Sequence, residues 1–285
     1  MQQTSFEIEI LIHDDASTDR TADIIRAYAK KDKRIKTIYQ SENQYSKGIR
    51  PISLFNFNRA KGKYITICEG DDYWTDPKKL QKQVAVFNQD QSVACVVTDF
   101  TKKNQEKNTF QNAFISNQFK NIKEGYLDTN KIFSKSLKKT RTTTSMIEKT
   151  WIDKIVNGQY MKNMPGDTQI FGHLFLHAKI YFLKSDTGVY RVLPESASHT
   201  KSFIKKQLYL KSYIDYMGYL LSNYKLSYGD HRYYEKTKLL YTIRQKAHEK
   251  NGFKVLLLST KLILLGHISR LIIPQIKLAF KKNEG

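Results

Sequence analysis

The sequence predicts an α/β fold, a mostly parallel sheet with flanking helices, and three observations carry that expectation. Short apolar and β-branched runs of strand length occur at Phe6–His13, Ile35–Tyr39 and Tyr64–Cys68. Polar turns and helical periodicity follow the first and third runs, with Ile24, Ile25 and Tyr28 on one helix face and Leu80, Val84 and Phe87 on another. Acidic residues gather where those same two strands end, and ligands of open α/β sheets bind outside the carboxyl ends of strands.

Taken in order, Phe6–His13 runs into His13-Asp14-Asp15-Ala16-Ser17-Thr18-Asp19-Arg20-Thr21, short oxygen-bearing side chains that suit a turn. A helix is expected from Ala22 to Lys31. After Ile35–Tyr39 come a polar loop and a short helix opened by Pro51. The Tyr64–Cys68 strand leads into Glu69-Gly70-Asp71-Asp72-Tyr73-Trp74, and Asp76 and Pro77 read as N-cap and first residue of the next helix. Adjacent carboxylates about 4 Å apart repel by about 4 kcal/mol at the effective dielectric of a protein surface, and a divalent cation reverses the sign. Hard cations such as Mg²⁺ and Mn²⁺ take oxygen ligands, with one or two carboxylates supplemented by phosphate and water. Ser92–Asp99 reads as a buried strand, and residues 101–125, rich in Lys, Asn and Gln, as a surface insertion or lobe. Gly166-Asp167-Thr168 opens a helix carrying Ile170, Phe171, Leu174 and Phe175, a place where Asp is also an ordinary cap.

The 285 residues carry a formal charge of +21, a pI near 9.7 and a mean hydropathy of −0.56, the profile of a globular chain with an anionic partner. From Lys201 to Gly285 there are 17 Lys and Arg against 5 Asp and Glu, so the surplus is concentrated in the tail. Nucleic acid is not the expected partner, because it explains neither acidic cluster. Cys68 and Cys95 each fall inside a predicted strand, which fits a reducing cytoplasm without disulfide or zinc framework. No secretory signal opens the chain. In the tail, Tyr209, Tyr213, Tyr216 and Leu220 form a packing stripe. Phe253–Phe280 is apolar but interrupted by Lys254, Lys261, His267, Arg270, Pro274 and Lys277, which suits an in-plane helix on an anionic membrane surface better than a span.

Three blocks, HDDASTDRT from His13, AKGKYI from Ala60 and EGDDYWTDPKKLQKQ from Glu69, together resemble family 2 glycosyltransferases of the GT-A fold, especially those of bacterial surface-polysaccharide synthesis. The resemblance is firm over residues 6–100 and looser to about residue 200. It implies metal-dependent, inverting transfer of a sugar from a nucleoside diphosphate donor to a glycan or lipid-linked acceptor, in the cytoplasm and peripherally at the inner face of the plasma membrane. Carried onto this chain, it makes Asp14 and Asp15 contacts for base and ribose, with Ser17 and Asp19 shaping their turn. Asp71 would face ribose or diphosphate, Asp72 would hold Mg²⁺ or Mn²⁺, and Asp167 would be the catalytic base. Arg191 and His199 become candidates for the diphosphate, and Trp74 either stacks on a sugar or anchors the core. Residues 1–100 would form the nucleotide-sugar-binding half, 101–200 the acceptor-binding half and 201–285 a basic helical tail.

One departure accompanies the resemblance. Family members begin with an apolar strand, a turn and a helix, whereas Met1-Gln2-Gln3-Thr4 resembles only the end of that helix. The absent strand would be central, between the Phe6 and Tyr64 strands, and its loss leaves both without backbone partners. The expectation is therefore a chain truncated at its start, with a noncatalytic nucleotide- or membrane-binding remnant as the alternative to an enzyme.

Overall fold

A computed structural model describes residues 2–49, 52–127, 140–156, 166–193, 202–264, 275–276 and 278. The chain divides into two compact units, the first comprising Met1–Leu127, Leu137–Tyr160 and Pro165–Leu193, the second Asp128–Ser136, Met161–Met164 and Pro194–Gly285.

The first unit opens with β1 (Ile10–Asp14), α1 (Thr21–Lys31) and β2 (Ile35–Tyr39), and β1 pairs with β2 in parallel from Ile10↔Ile35 to Asp14↔Tyr39. Then follow β3 (Tyr64–Thr66), β4 (Tyr73–Trp74), α2 (Lys79–Gln89), β5 (Val93–Asn104), β6 (Thr109–Gln111), α3 (Phe114–Gln118) and β7 (Gly125–Tyr126). The unit closes with β8 (Ser145–Glu148), α4 (Lys149–Val156), α5 (Gly166–His177) and β9 (Lys179–Val192). A seven-stranded sheet runs β3-β8-β5-β9-β4, with β6 beside β5 and β7 beside β9.

The α/β class stands, but this second sheet is mixed where a mostly parallel one was expected. Only β5 and β9 run parallel in it, while β8 lies antiparallel between β3 and β5. Parallel neighbours need long crossovers, and the chain between β5 and β9 supplies one through β8, α4 and α5. The strand–helix alternation of the first 90 residues carries no information about those later insertions.

Local chemistry explains the other differences. Phe6 and Ile8 are not in a strand; they pack as irregular chain against the cluster of Leu80, Val86, Phe87, Val93, Val96 and Met146. Residues 2–4 are not helical either. Gln2 Nε2 donates to Asp76 O at 2.7 Å, Leu80 N donates to Gln2 Oε1 at 3.0 Å, and Gln3 N donates to Pro77 O at 2.7 Å, so this stretch closes over the start of α2. Asp76 is not the N-cap: its Oδ1 accepts from Lys78 N at 2.8 Å in a turn through Pro77, and the helix begins at Lys79 with Lys78 in the capping position. Residues 101–125 are no simple lobe. Strand β5 continues to Asn104 and pairs with β6, and buried Asp99 accepts from Ile115 N and Ser116 N at the start of α3. The exposed hairpin residues hid this from a reading based on hydrophobic runs.

The two sheets part where the resemblance places a further strand. Among the described residues neither β1 nor β3 pairs with a second strand on that side. Two β1 carbonyls are served by side chains: Leu11 O accepts from Asn56 Nδ2 at 3.5 Å and Ile12 O from Arg59 Nη2 at 3.0 Å. Helix α1 buries none of its residues, leaving Ile24 53% and Tyr28 62% exposed.

The second unit contains α6 (Phe203–Asn223), α7 (Tyr228–His248) and α8 (Gly252–Leu264) among the described residues. Ser202 and Ser227 cap the first two, accepting from Lys205 N and Asp230 N. The helical stripe is partly a packing face, with Tyr216 and Leu220 buried and Tyr209 44% exposed. Gly218 lets Tyr234 approach closely, since a Cβ there would meet its hydroxyl at 3.2 Å. Helix α8 packs Val255 and Leu262 against Ile243 and Ala247 of α7. Among the described residues no helix is long and apolar enough to cross a membrane.

Candidate active site

The first acidic group sits at the end of β1. Asp14 is buried, and Ser17 Oγ donates to its Oδ1 at 2.5 Å. Ala16 between them takes φ 60°, a left-handed conformation that non-glycine residues rarely adopt, and the turn brings Ser17 back onto Asp14. Both oxygens of Asp15 are engaged: Gln44 N donates to Oδ1 at 2.8 Å and Tyr45 N to Oδ2 at 2.9 Å. Asp19 accepts from Thr21 N at 2.9 Å, opening α1. His13 stacks on Phe55 with ring centroids 4.9 Å apart, and burial holds its pKa below the usual imidazole value.

The second group lies between β3 and β4. Asp72 Oδ1 accepts from Arg191 N at 2.9 Å, a bond made possible because β4 pairs with β9 through Tyr73↔Val189 and Trp74↔Gly188. Burial pushes the Asp72 carboxyl up to about 7; the Arg191 N–H pulls it back and Glu69 and Asp71 add repulsion. Glu69 is also raised, first by burial and then by the charges of Asp167 and Asp71, against a hydrogen bond from Thr142. Its Oε1 accepts from Thr142 Oγ1, while its Oε2 is buried without a hydrogen-bond partner. Asp167, exposed in the first turn of α5, therefore lies close enough for its charge to be felt in the block. Among the described residues its Oδ1 accepts from Thr168, the N–H at 2.7 Å and the hydroxyl at 3.3 Å.

Of the sequence-predicted residues, Asp71 and Asp72 share one loop with Glu69, on which the charge of Asp167 acts, and Asp14, Asp15, Ser17 and Asp19 share another. No hydrogen bond or ion pair among the described residues joins the first group to the second. Arg191 meets Asp72 through its backbone, and His199 lies outside the described residues.

Sequence reading missed how the block is fastened. Three successive carbonyls around the Thr142–Thr144 turn accept from side chains of β4, α2 and β3: Thr143 O from Trp74 Nε1 at 2.8 Å, Thr144 O from Gln83 Nε2 at 2.9 Å and Ser145 O from Thr66 Oγ1 at 2.8 Å. Gln83 Nε2 also donates to Val96 O at 2.9 Å, and its Oε1 accepts from the fully buried Lys79 Nζ at 2.7 Å. Lys79 lies 4.5 Å over the Trp74 ring, so Trp74 is an anchor of the turn and core. Anchoring is one of the two roles that the sequence left open for Trp74.

Burial pushes the Lys79 ammonium down to about 7 from 10.5. Between those values the unfolded chain binds a proton that the folded chain has released, so stability rises with pH. Urea melts are expected to gain about 1 kcal/mol between pH 7 and 8, above which ionisation of Cys68 and Cys95 in the unfolded chain offsets the rise. Lys79→Met should flatten that slope; an unchanged slope refutes the assignment.

Strand-end carboxylates gathered on an α/β sheet, with one more at a helix start, occupy the place where such sheets bind ligands. Residues 1–150, more than half the chain, match Glycosyl transferase family 2, and the chain belongs to that family. Relatives include the putative teichuronic acid biosynthesis glycosyltransferase TuaG of Bacillus subtilis, 37% identical over 98 residues, which are 34% of this chain and 37% of TuaG. The Escherichia coli UDP-Glc:alpha-D-GlcNAc-diphosphoundecaprenol beta-1,3-glucosyltransferase WfaP is 44% identical over 78 residues, 27% of this chain and 29% of WfaP. The chain thus spans well under half the length of these curated relatives. Among solved structures, that of S. aureus TarS 1-349 aligns over 97% of this chain and 82% of its own, at 16% identity and a TM-score of 0.46.

Proposed function

We propose that this glycosyltransferase moves a sugar from a nucleoside diphosphate donor to a glycan or lipid-linked acceptor, with inversion, in bacterial surface polysaccharide synthesis at the cytoplasmic face of the membrane. The observation that supports it most is the Glu69–Asp72 block, held by β9 and the Thr142 turn with the Asp167 charge beside it. In this reading Asp14 and Asp15 receive base and ribose, Ser17 and Asp19 shape their turn, and Asp71 faces ribose or diphosphate. Asp167 accepts the proton of the acceptor hydroxyl as its oxygen attacks the anomeric carbon, and the diphosphate departs with the bonding pair. The names of TuaG and WfaP, one a polysaccharide-biosynthesis enzyme and the other acting on a diphosphoundecaprenol-linked sugar, favour the same acceptor class.

Mg²⁺ or Mn²⁺ fits the block. The donors are hard carboxylate oxygens, and Glu69 Oε2 is buried and unpartnered. The described residues hold no set of three or more His, Cys, Asp or Glu arranged for a metal. Asp72 would hold the cation, which when bound supplies Lewis-acid neutralisation of the departing diphosphate. Calorimetry should show UDP or GDP binding that strengthens with Mn²⁺, with Asp72→Asn losing the Mn²⁺ dependence. Equal binding with and without the metal in the native chain would overturn the metal assignment.

A noncatalytic nucleotide binder is the second reading, favoured by the separation of β1 and β2 from the larger sheet. Hydrolysis of sugar nucleotides separates the two, since a binder leaves them intact.

A further inference from the structure

We infer that the outward face of α8 docks the protein onto an anionic lipid surface, an inference that stands whether or not the transfer chemistry above is right. On the side of α8 that faces α7, Val255 and Leu262 are 0% exposed and Ser259 beside them is buried. The opposite side presents Phe253, Leu256, Leu257 and Ile263, exposed by 78, 44, 59 and 51%. At 100° per residue these four fall on one arc centred away from α7, and Lys254 and Lys261 stand exposed along one flank of it. Large apolar side chains set in line and bordered by lysines form the pattern of a helix lying in the headgroup plane, and among the described residues no helix is long and apolar enough to span.

Charge selects the occupant. Residues 202–264 hold twelve Lys and Arg against four Asp and Glu, and two of those acids are already paired, Asp215 with Lys211 at 2.6 Å and Glu249 with Lys246 at 2.7 Å. Such a surface attracts anionic headgroups over a range of about 10 Å at 0.1 M salt. A second copy of the same basic unit meets like charge, which disfavours self-association through this face.

The test is flotation of the full chain with vesicles of phosphatidylcholine alone or with one third phosphatidylglycerol, paired with its hydrodynamic mass in solution. Binding should require phosphatidylglycerol, weaken with salt, and fall at least tenfold in Leu256→Glu/Leu257→Glu. Ile24→Glu/Tyr28→Glu, which charges the exposed face of α1, should float as the native chain does. Equal flotation of the α8 variant overturns the inference, as does equal binding to neutral vesicles. A native chain that stays off vesicles but is dimeric, and becomes monomeric in the α8 variant, assigns the face to a second copy instead.

Discussion

Asp167→Asn should lower turnover by about 10² to 10⁴-fold, the usual contribution of a general base, while leaving nucleotide affinity nearly unchanged. The substitution is clean because Asp167 is exposed and, among the described residues, its Oδ1 accepts from Thr168, a role the Asn carbonyl keeps. Removing its charge also relieves Glu69, so the block should if anything become easier to ionise. Single-turnover sugar transfer and calorimetry with UDP or GDP are the measurements. Turnover within threefold of the native chain would leave Asp167 as nothing more than a favourable charge in the first turn of α5.

Gln83→Leu should be the most destabilising single change at the site, by about 3–5 kcal/mol, because it strands a buried ammonium as well as two carbonyls. Lys79 Nζ would lose its 2.7 Å acceptor and keep only Thr66 Oγ1 at 3.5 Å. Val96 O and Thr144 O would lose their amide donor, although Thr98 Oγ1 remains 3.4 Å from the latter. The double variant Lys79→Met/Gln83→Leu removes the charge together with its partner and should recover more than half of the loss. Such coupling is expected of residues in one network, and simple additivity of the two single changes would refute it. Thermal unfolding reads the effect as a fall of roughly 10 °C for Gln83→Leu.

The contrast between these residues shows what the sequence makes legible. Asp14 and Asp72 are visible because short acids at the ends of apolar runs break the local pattern, Asp167 because it follows Gly166 at the opening of a helix, and strand β2 at Ile35–Tyr39 was readable from its composition alone. Lys79 and Gln83 give no such signal: in sequence they look like ordinary polar positions of an amphipathic helix. Their burial follows from chain arriving 61 residues later, when the Thr142–Thr144 turn covers them. The same nonlocality hid the antiparallel place of β8 between β3 and β5, and the Glu69–Thr142 bond. Trp74 was legible as an aromatic beside acids, but which of its two roles applied depended on a carbonyl supplied from β8's lead-in.

The uneven seating of the two acidic turns has a mechanical consequence. The Asp72 loop is gripped by β9, α2 and the Thr142 turn, whereas the Asp14 loop rides on a two-strand ladder beside a helix with no buried residue. Segments with so little covered apolar surface open first and close last. A nucleotide reaching from one loop to the other would act as a clasp, drawing the looser limb onto the firmer one, so that occupancy and local cohesion rise together.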